Sequence, residues 1–239
     1  MLDRGENLLH RYYGQYHFWS ARRAMRFSDE LRSFAAAYRL KHFDSDDEKD
    51  KTQIWRQNWD EVERPEGSAK GGNYLAVHLR RKDFLRARVK ELPSIKGAVE
   101  QIEEYMKLAQ VDKVFIATDG VEGERQQLRQ LLGDRVFFYD PTPEEEKQFK
   151  KGGVAIIDQI ICANAAYFIG SKESTFSFRI QEEREIMGFT AESTYKRLCP
   201  DDRRRTCSKK ESEDPDKHQC CHHHTHWKIA YTRQYGEDF

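Results

Sequence analysis

Several features are missing from this chain, and each absence removes a class of function. No apolar run approaches the roughly 18 residues of a membrane-spanning helix, and the mean hydropathy is −0.92, so no membrane span is expected. There is no net charge, 41 basic residues balancing 41 acidic ones. A nucleic-acid surface carries a basic excess, so nucleic acid is not expected as a partner. No Gly-x-Gly-x-x-Gly, no Walker sequence and no Ser nucleophile elbow occurs, which removes the glycine-rich dinucleotide and P-loop routes to phosphate and the hydrolase route to acyl chemistry. No Asp-x-Asp pair is placed to hold a metal on a nucleotide diphosphate; Asp44, Asp46 and Asp47, and Asp201 and Asp202, fall in polar stretches and read as solvated charge. The first residues, Met-Leu-Asp-Arg-Gly-Glu, carry no apolar h-region, so no signal peptide is expected. Hydrophobic residues make up only 38% of the 239, low but sufficient for a core in one large domain or two small ones.

What is present is an alternation of strand and helix patterns. Residues 6–43 read as helical, with Phe18, Arg22, Met25, Leu31, Phe34, Ala35 and Tyr38 near helical spacing and no internal Pro. Residues 44–72 are polar and read as a connection, with a short helical piece over 54–62. Strands are expected over 74–79, 113–117, 136–139 and 167–170. Helices are expected from Pro93 and Ser94 to about Leu108, over 122–132 with Gly133 as the stop, over 154–166 after Gly152 and Gly153, and over 176–187. Residues 200–224 read as an exposed loop and 227–231 as a terminal strand or ordered tail. This order implies βαβ units and a parallel sheet, an α/β fold of Rossmann-like type.

The most informative stretch is Tyr-Leu-Ala-Val-His-Leu-Arg-Arg-Lys-Asp-Phe at 74–84. An apolar strand delivers His78, Arg80, Arg81, Lys82 and Asp83 to its carboxyl end, where ligands bind in open α/β sheets. The Arg fork suits phosphate because it donates two parallel hydrogen bonds; the alternative is a solvated charged turn. Ser174 and Thr175 fall where a strand ending at Gly170 gives way to a helix. Unpaired amides and the positive dipole end there make an anion site, although Ser and Thr are also ordinary helix caps. Two strand ends with phosphate-type donors, taken together, favour a diphosphate site in one crevice.

Asp158 interrupts the apolar run Val-Ala-Ile-Ile-Asp-Gln-Ile-Ile. A buried carboxylate needs a partner, which is either a ligand's base or sugar edge or a structural Arg. Asp119, after the second strand, points to the same edge, but a cap or turn role is the preferred reading. Cys162 stands alone, whereas Cys199, Cys207, Cys220 and Cys221 cluster, which suggests local disulfides in an oxidising compartment or else a metal site. The histidines at 222–226 fit no closed zinc spacing and read as adventitious.

Six segments then converge on one family. They are His-Leu-Arg-Arg-Lys-Asp-Phe (78–84), Asp-Lys-Val-Phe-Ile-Ala-Thr-Asp (112–119), Gly-Gly-Val-Ala-Ile-Ile-Asp-Gln (152–159), Ser-Thr-Phe-Ser-Phe-Arg-Ile (174–180), Glu-Glu-Arg-Glu-Ile (182–186) and Thr-His-Trp-Lys-Ile (225–229). In order and over nearly the whole chain, they resemble the protein O-fucosyltransferases that transfer fucose from GDP-fucose to Ser or Thr of thrombospondin type 1 repeats. The resemblance covers the C-terminal half of the family's two-domain GT-B architecture. It implies a helical N-terminal segment and linker over 1–72, packed on a GDP-fucose-binding domain over 73–239 with a disulfide-containing tail.

By the same resemblance Arg80 is the essential arginine on the GDP phosphates. His78 and Asp83 belong to its motif, Asp158 is the guanine-side carboxylate, and Ser174, Thr175 and Phe176 form the phosphate-binding turn. The implied reaction inverts at the anomeric carbon, with no metal and no cofactor beyond the donor substrate, in the endoplasmic reticulum lumen. The spacing of Cys199 and Cys207 is close to that of a family disulfide, and Cys220 and Cys221 leave the pairing open. The family's catalytic glutamate belongs to the other half, so this chain is expected to hold the donor without the base; the alternatives are a non-catalytic nucleotide-sugar-binding fragment and an interaction domain with a dead site. Should a base exist within the chain, Glu182, Glu183 and Asp119 are the candidates.

Overall fold

A computed structural model describes residues 14–53, 63–172 and 174–201. The readings at 6–13, 54–62 and 202–239, including Cys207, Cys220, Cys221, the histidine run and the terminal strand, lie outside them. Among the described residues no helix is long and apolar enough to cross a membrane.

Among the described residues, five strands form one all-parallel sheet: β1 (Gly72–Leu79), β2 (Val114–Thr118), β3 (Val136–Phe137), β4 (Ala165–Ser171) and β5 (Lys196–Leu198), in the order β3-β2-β1-β4-β5. The helices are α1 (Tyr16–Ala24), α2 (Asp29–Phe43), α3 (Lys82–Ala87), α4 (Ile95–Ala109), α5 (Glu122–Leu132), α6 (Pro143–Ala163), α7 (Thr175–Met187) and α8 (Ala191–Thr194). The strands read as continuous apolar runs because both faces are covered. Tyr74, Ala76, Phe115, Ala117 and Phe168 point to one side, against Ala35 and Phe43 of α2, Ile157 and Ile161 of α6 and Ile180 of α7. The alternate residues Leu75, Val77, Val114, Ile116 and Ile169 point to the other, against Ala98 and Ile102 of α4 and Leu128 of α5. The period of two along each strand thus builds two cores and three layers. Tyr74 shows how the first core is closed: its ring stacks on Phe43 at 4.1 Å, and its buried hydroxyl donates to the Ile161 carbonyl at 2.6 Å, the partner a buried phenol requires.

The helix starts follow local chemistry. Ser94 accepts the Gly97 N–H at 3.0 Å and caps α4. The helix expected over 6–43 is two helices. Met25 turns extended after α1, and Ser28 caps α2 by accepting from Leu31. The helix expected over 154–166 begins at Pro143, where Thr142 and Glu145 form a capping box and Pro occupies the first turn. It ends at Ala163 and is broken at Lys150, with φ 55°. The third strand is shorter than expected and the fourth longer. The three-residue β5 was not expected, being too short for any periodicity to register.

This topology places the crevice. From β1 the chain moves outward through β2 to β3, then returns to the far side of β1 for β4 and β5. The order reverses between β1 and β4, and ligands bind outside the carboxyl ends of strands at such a switch point. There His78 lies opposite Gly170 in register. Glycine is required at 170 by close approach, since a Cβ would sit 2.6 Å from Ser177 Oγ and 3.0 Å from the Phe168 ring.

Candidate functional site

β1 turns Tyr74 toward Phe43 of α2 and Ile161 of α6 and, at its carboxyl end, His78 toward α7. The His78 ring is buried, its Nδ1 2.8 Å from Ser177 Oγ, and it stacks on Phe176 with centroids 4.3 Å apart. Burial first, and the Arg80 guanidinium second, push its pKa down to about 3, so the imidazole is neutral at pH 7.

Arg80 follows immediately. Its N–H donates to Ser171 Oγ at 2.8 Å, and that hydroxyl donates to the His78 carbonyl at 3.2 Å. Ser171, the last residue of β4, therefore ties the ends of the two switch-point strands together. The Arg80 side chain is 37% exposed and is shared between two carboxylates: Nε to Asp83 Oδ1 at 2.8 Å and Nη1 to Asp119 Oδ2 at 2.8 Å. The hydrogen bond from Arg80 holds the Asp83 carboxyl below its ordinary pKa. Arg81 is turned inward, bonding Glu124 Oε1 through Nε and Nη2 at 2.9 and 2.6 Å and the Pro93 carbonyl through Nη1 at 2.8 Å. Of the adjacent pair, only Arg80 presents its guanidinium to the crevice.

Asp119 is more than the turn residue favoured from sequence. Besides pairing with Arg80, its Oδ1 accepts the Arg81 N–H at 2.6 Å, so it holds both the backbone and the side chain of the 80–81 step. Val121, not Asp119, is the N-cap of α5.

Across the crevice, the 13-residue α7 directs its N-terminus at the same edge. Ser174 occupies the N-cap position and is buried, yet its side chain accepts none of the helix amides; the ordinary-cap alternative is not realised. Thr175 is exposed as the first helical residue. Open amides, two hydroxyls and a helix dipole thus face the ends of β1 and β4.

The structural Arg raised as a partner for Asp158 is not found among the described residues. Among the described residues its carboxylate has no hydrogen bond or ion pair; Arg125, whose charge it feels, is bound to Asp140 instead. Burial raises its pKa to about 8, with Arg125 opposing the shift and Asp140 adding to it. Burial chiefly raises the pKa values of Tyr38 and Tyr139, and nearby Asp158 adds to the shift, after Glu145 in the case of Tyr139.

Glu182 and Glu183 are committed elsewhere. Arg22 Nε pairs with Glu182, Arg22 Nη2 lies 3.5 Å from Glu183, and Arg179 lies 3.8 and 3.7 Å from the two carboxylates. Cys199 is disulfide-bonded, while Cys162 is free and buried. Gln101 grips the backbone at Cys199 from both sides, donating to its carbonyl and accepting its N–H, each at 2.9 Å. Sequence reasoning missed Ser171 and Ser177. Their partners are 93 and 99 residues away, and no local pattern announces such pairs.

Fold and site together define an open parallel α/β domain with a basic, hydroxyl-lined cluster at its switch point, the architecture of nucleotide-handling domains. The chain belongs to the GDP-fucose protein O-fucosyltransferase family, whose family model matches residues 5–187. It is 46% identical over 231 residues to GDP-fucose protein O-fucosyltransferase 2 of Homo sapiens, covering 97% of this chain and 50% of the relative. The Caenorhabditis elegans protein of the same name is 44% identical with the same coverage. The chain thus spans about half the length of these curated relatives. A crystal structure of POFUT1 in complex with GDP-fucose matches with a TM-score of 0.47 and 17% identity, covering 71% of this chain and 46% of that one.

Proposed function

We propose that this chain is the donor-binding half of a GT-B protein O-fucosyltransferase, holding GDP-fucose in the crevice between β1 and β4. One observation carries the reading: the Arg80 guanidinium sits at the switch point opposite the uncapped N-terminus of α7. Arg80 and the α7 amides, with Ser174 and Thr175, take the diphosphate. Asp158, whose carboxyl lacks a described protein partner, takes the donor edge of guanine. His78, Asp83 and Phe176 complete the wall around Arg80.

In an inverting transfer, a Ser or Thr hydroxyl of a thrombospondin type 1 repeat attacks the fucose anomeric carbon as GDP leaves from the opposite face. A base takes the hydroxyl proton, and the charge developing on the diphosphate falls on the Arg80 guanidinium and the α7 amides. That cationic edge supports donor binding without metal, so GDP affinity is expected to be unchanged by EDTA or manganese. The disulfide at Cys199 supports an oxidising compartment such as the endoplasmic reticulum lumen.

The base is expected to come from outside these residues. Asp83 and Asp119 are paired with Arg80, and Glu182 and Glu183 with Arg22 and Arg179. The same pairings favour a second reading, in which the chain by itself binds the donor and transfers nothing. The test incubates the purified chain with GDP-fucose and a folded repeat, alone and with the family's N-terminal half, and weighs the repeat by mass spectrometry. A gain of one deoxyhexose only with both halves supports the proposal. No gain in either incubation overturns transfer, and a stoichiometric gain with the chain alone overturns the assignment of the base.

A further inference from the structure

The Ser177 hydroxyl is fully buried, and among the described residues its hydrogen-bond partner is His78 Nδ1, at 2.8 Å. A neutral imidazole carries its proton on one nitrogen and accepts at the other, and the bond made by one nitrogen decides what the other offers. The ring cannot escape this pairing by rotation. Phe176 lies stacked on it, and the close approach at Gly170 presses β4 against Ser177 itself.

We infer that Ser177 is a positioning residue: its hydroxyl donates to Nδ1 and so fixes His78 as the Nε2–H tautomer, which gives the crevice one more neutral donor for the diphosphate or sugar of the nucleotide ligand. The inference rests on the proposed donor site for its ligand, and on the Ser177–His78 geometry alone for its tautomer. The sign follows from the surroundings. Arg80 and the amides of α7 already make the crevice one for an anion, and a lone pair on Nε2 aimed at phosphate oxygens would repel them. With Nδ1 accepting from Ser177, His78 joins Arg80 and the α7 amides as a donor on this wall. A neutral donor also leaves the local charge unchanged as pH falls, because burial keeps the ring unprotonated well below neutrality.

The experiment labels histidine with ¹⁵N in the intact chain and records long-range ¹H–¹⁵N correlations at pH 7, with and without GDP. His78→Gln assigns the resonance by its disappearance. Three proteins are compared: wild type, Ser177→Ala, and Ser177→Cys, which keeps the volume but donates weakly. Wild type is expected to show a single Nε2–H tautomer, and both variants a tautomer mixture with GDP affinity weakened about tenfold, the scale of one hydrogen bond. An Nδ1–H tautomer in wild type overturns the inference. So does full affinity in Ser177→Cys with loss only in Ser177→Ala, which would make the role one of packing. Thermal melts identify a variant that has failed to fold, and the cysteine variant and the wild-type spectrum then decide. If wild type shows the expected tautomer but binds no GDP, the proposed function fails and the tautomer assignment stands.

Discussion

Arg80 and Asp119 form an ion pair across two strand ends, Nη1 to Oδ2 at 2.8 Å, while the other carboxylate oxygen accepts the Arg81 N–H at 2.6 Å. One side chain from the end of β2 thereby sets both the backbone course and the guanidinium direction at the end of β1. Arg80 needs this restraint. Its partner three residues on, Asp83, is mostly exposed, and an exposed pair contributes little.

Asp119→Ala is expected to destabilise the chain by about 1–3 kcal/mol, because it leaves the Arg81 N–H without its acceptor. Asp119→Asn is expected to cost less, since the amide oxygen still accepts from that N–H. Urea denaturation of the three proteins measures the difference, and equal losses for Asn and Ala would show that the charge, not the acceptor, is what matters.

Asp158 makes a pH prediction. Its folded-state pKa, about 8, stands above the ordinary carboxyl value. Between those values the folded chain holds a proton that the unfolded chain has released, so this group lowers stability as pH rises from about 4 to 8. Asp158→Asn is expected to stabilise the chain increasingly over that interval and to have no effect below it. Guanine donors would draw the carboxyl into its ionised form, so GDP binding near pH 7 releases a proton. The calorimetric enthalpy should vary with the ionisation enthalpy of the buffer, and Asp158→Asn should remove that part of the variation.

His78 has the opposite sign. Its folded pKa, about 3, lies below the value near 6.5 of the unfolded chain. The unfolded chain therefore gains a proton first, and this group's contribution to stability is lost as pH falls from about 6.5 toward 3. His78→Gln is expected to flatten that part of the acid limb in pH-dependent thermal melts.

Arg184 enters the sequence reading only within the segment Glu-Glu-Arg-Glu-Ile at 182–186. It is buried, with Nη1 donating to the carbonyls of Ala163 and Ala165 and Nη2 to those of Ala166 and Ser193. It closes the gap between α6, β4 and α8. Arg184→Met is expected to cost more than about 3 kcal/mol by leaving these carbonyls unpaired, measured as a lowered urea midpoint.

The parallel α/β class was legible because buried strands leave continuous apolar runs, and 74–79 and 113–117 are such runs. Arg80, Ser174 and Thr175 were legible because they sit where a strand pattern stops and a helix pattern starts. Illegible were the features that depend on distant pairing. Nothing local distinguishes Arg80, which faces the crevice, from Arg81, which faces Glu124 and Pro93. Asp119 reads as a turn until β2 is placed beside β1. Ser177 reads as an unremarkable helix residue until His78 is brought against it. The early start of α6 was written in Thr142, Pro143 and Glu145, but the glycines at 152 and 153 mimic a helix boundary, and the break at Lys150 lies just before them.

Arg80 is proposed to hold a nucleotide diphosphate at the β1–β4 crevice. Calorimetric titration of GDP into the wild-type chain and into Arg80→Ala tests it most directly. Loss of a charge-assisted, two-point contact is expected to weaken binding by about tenfold or more, with the fold intact by circular dichroism. Equal dissociation constants for the two proteins would contradict the account.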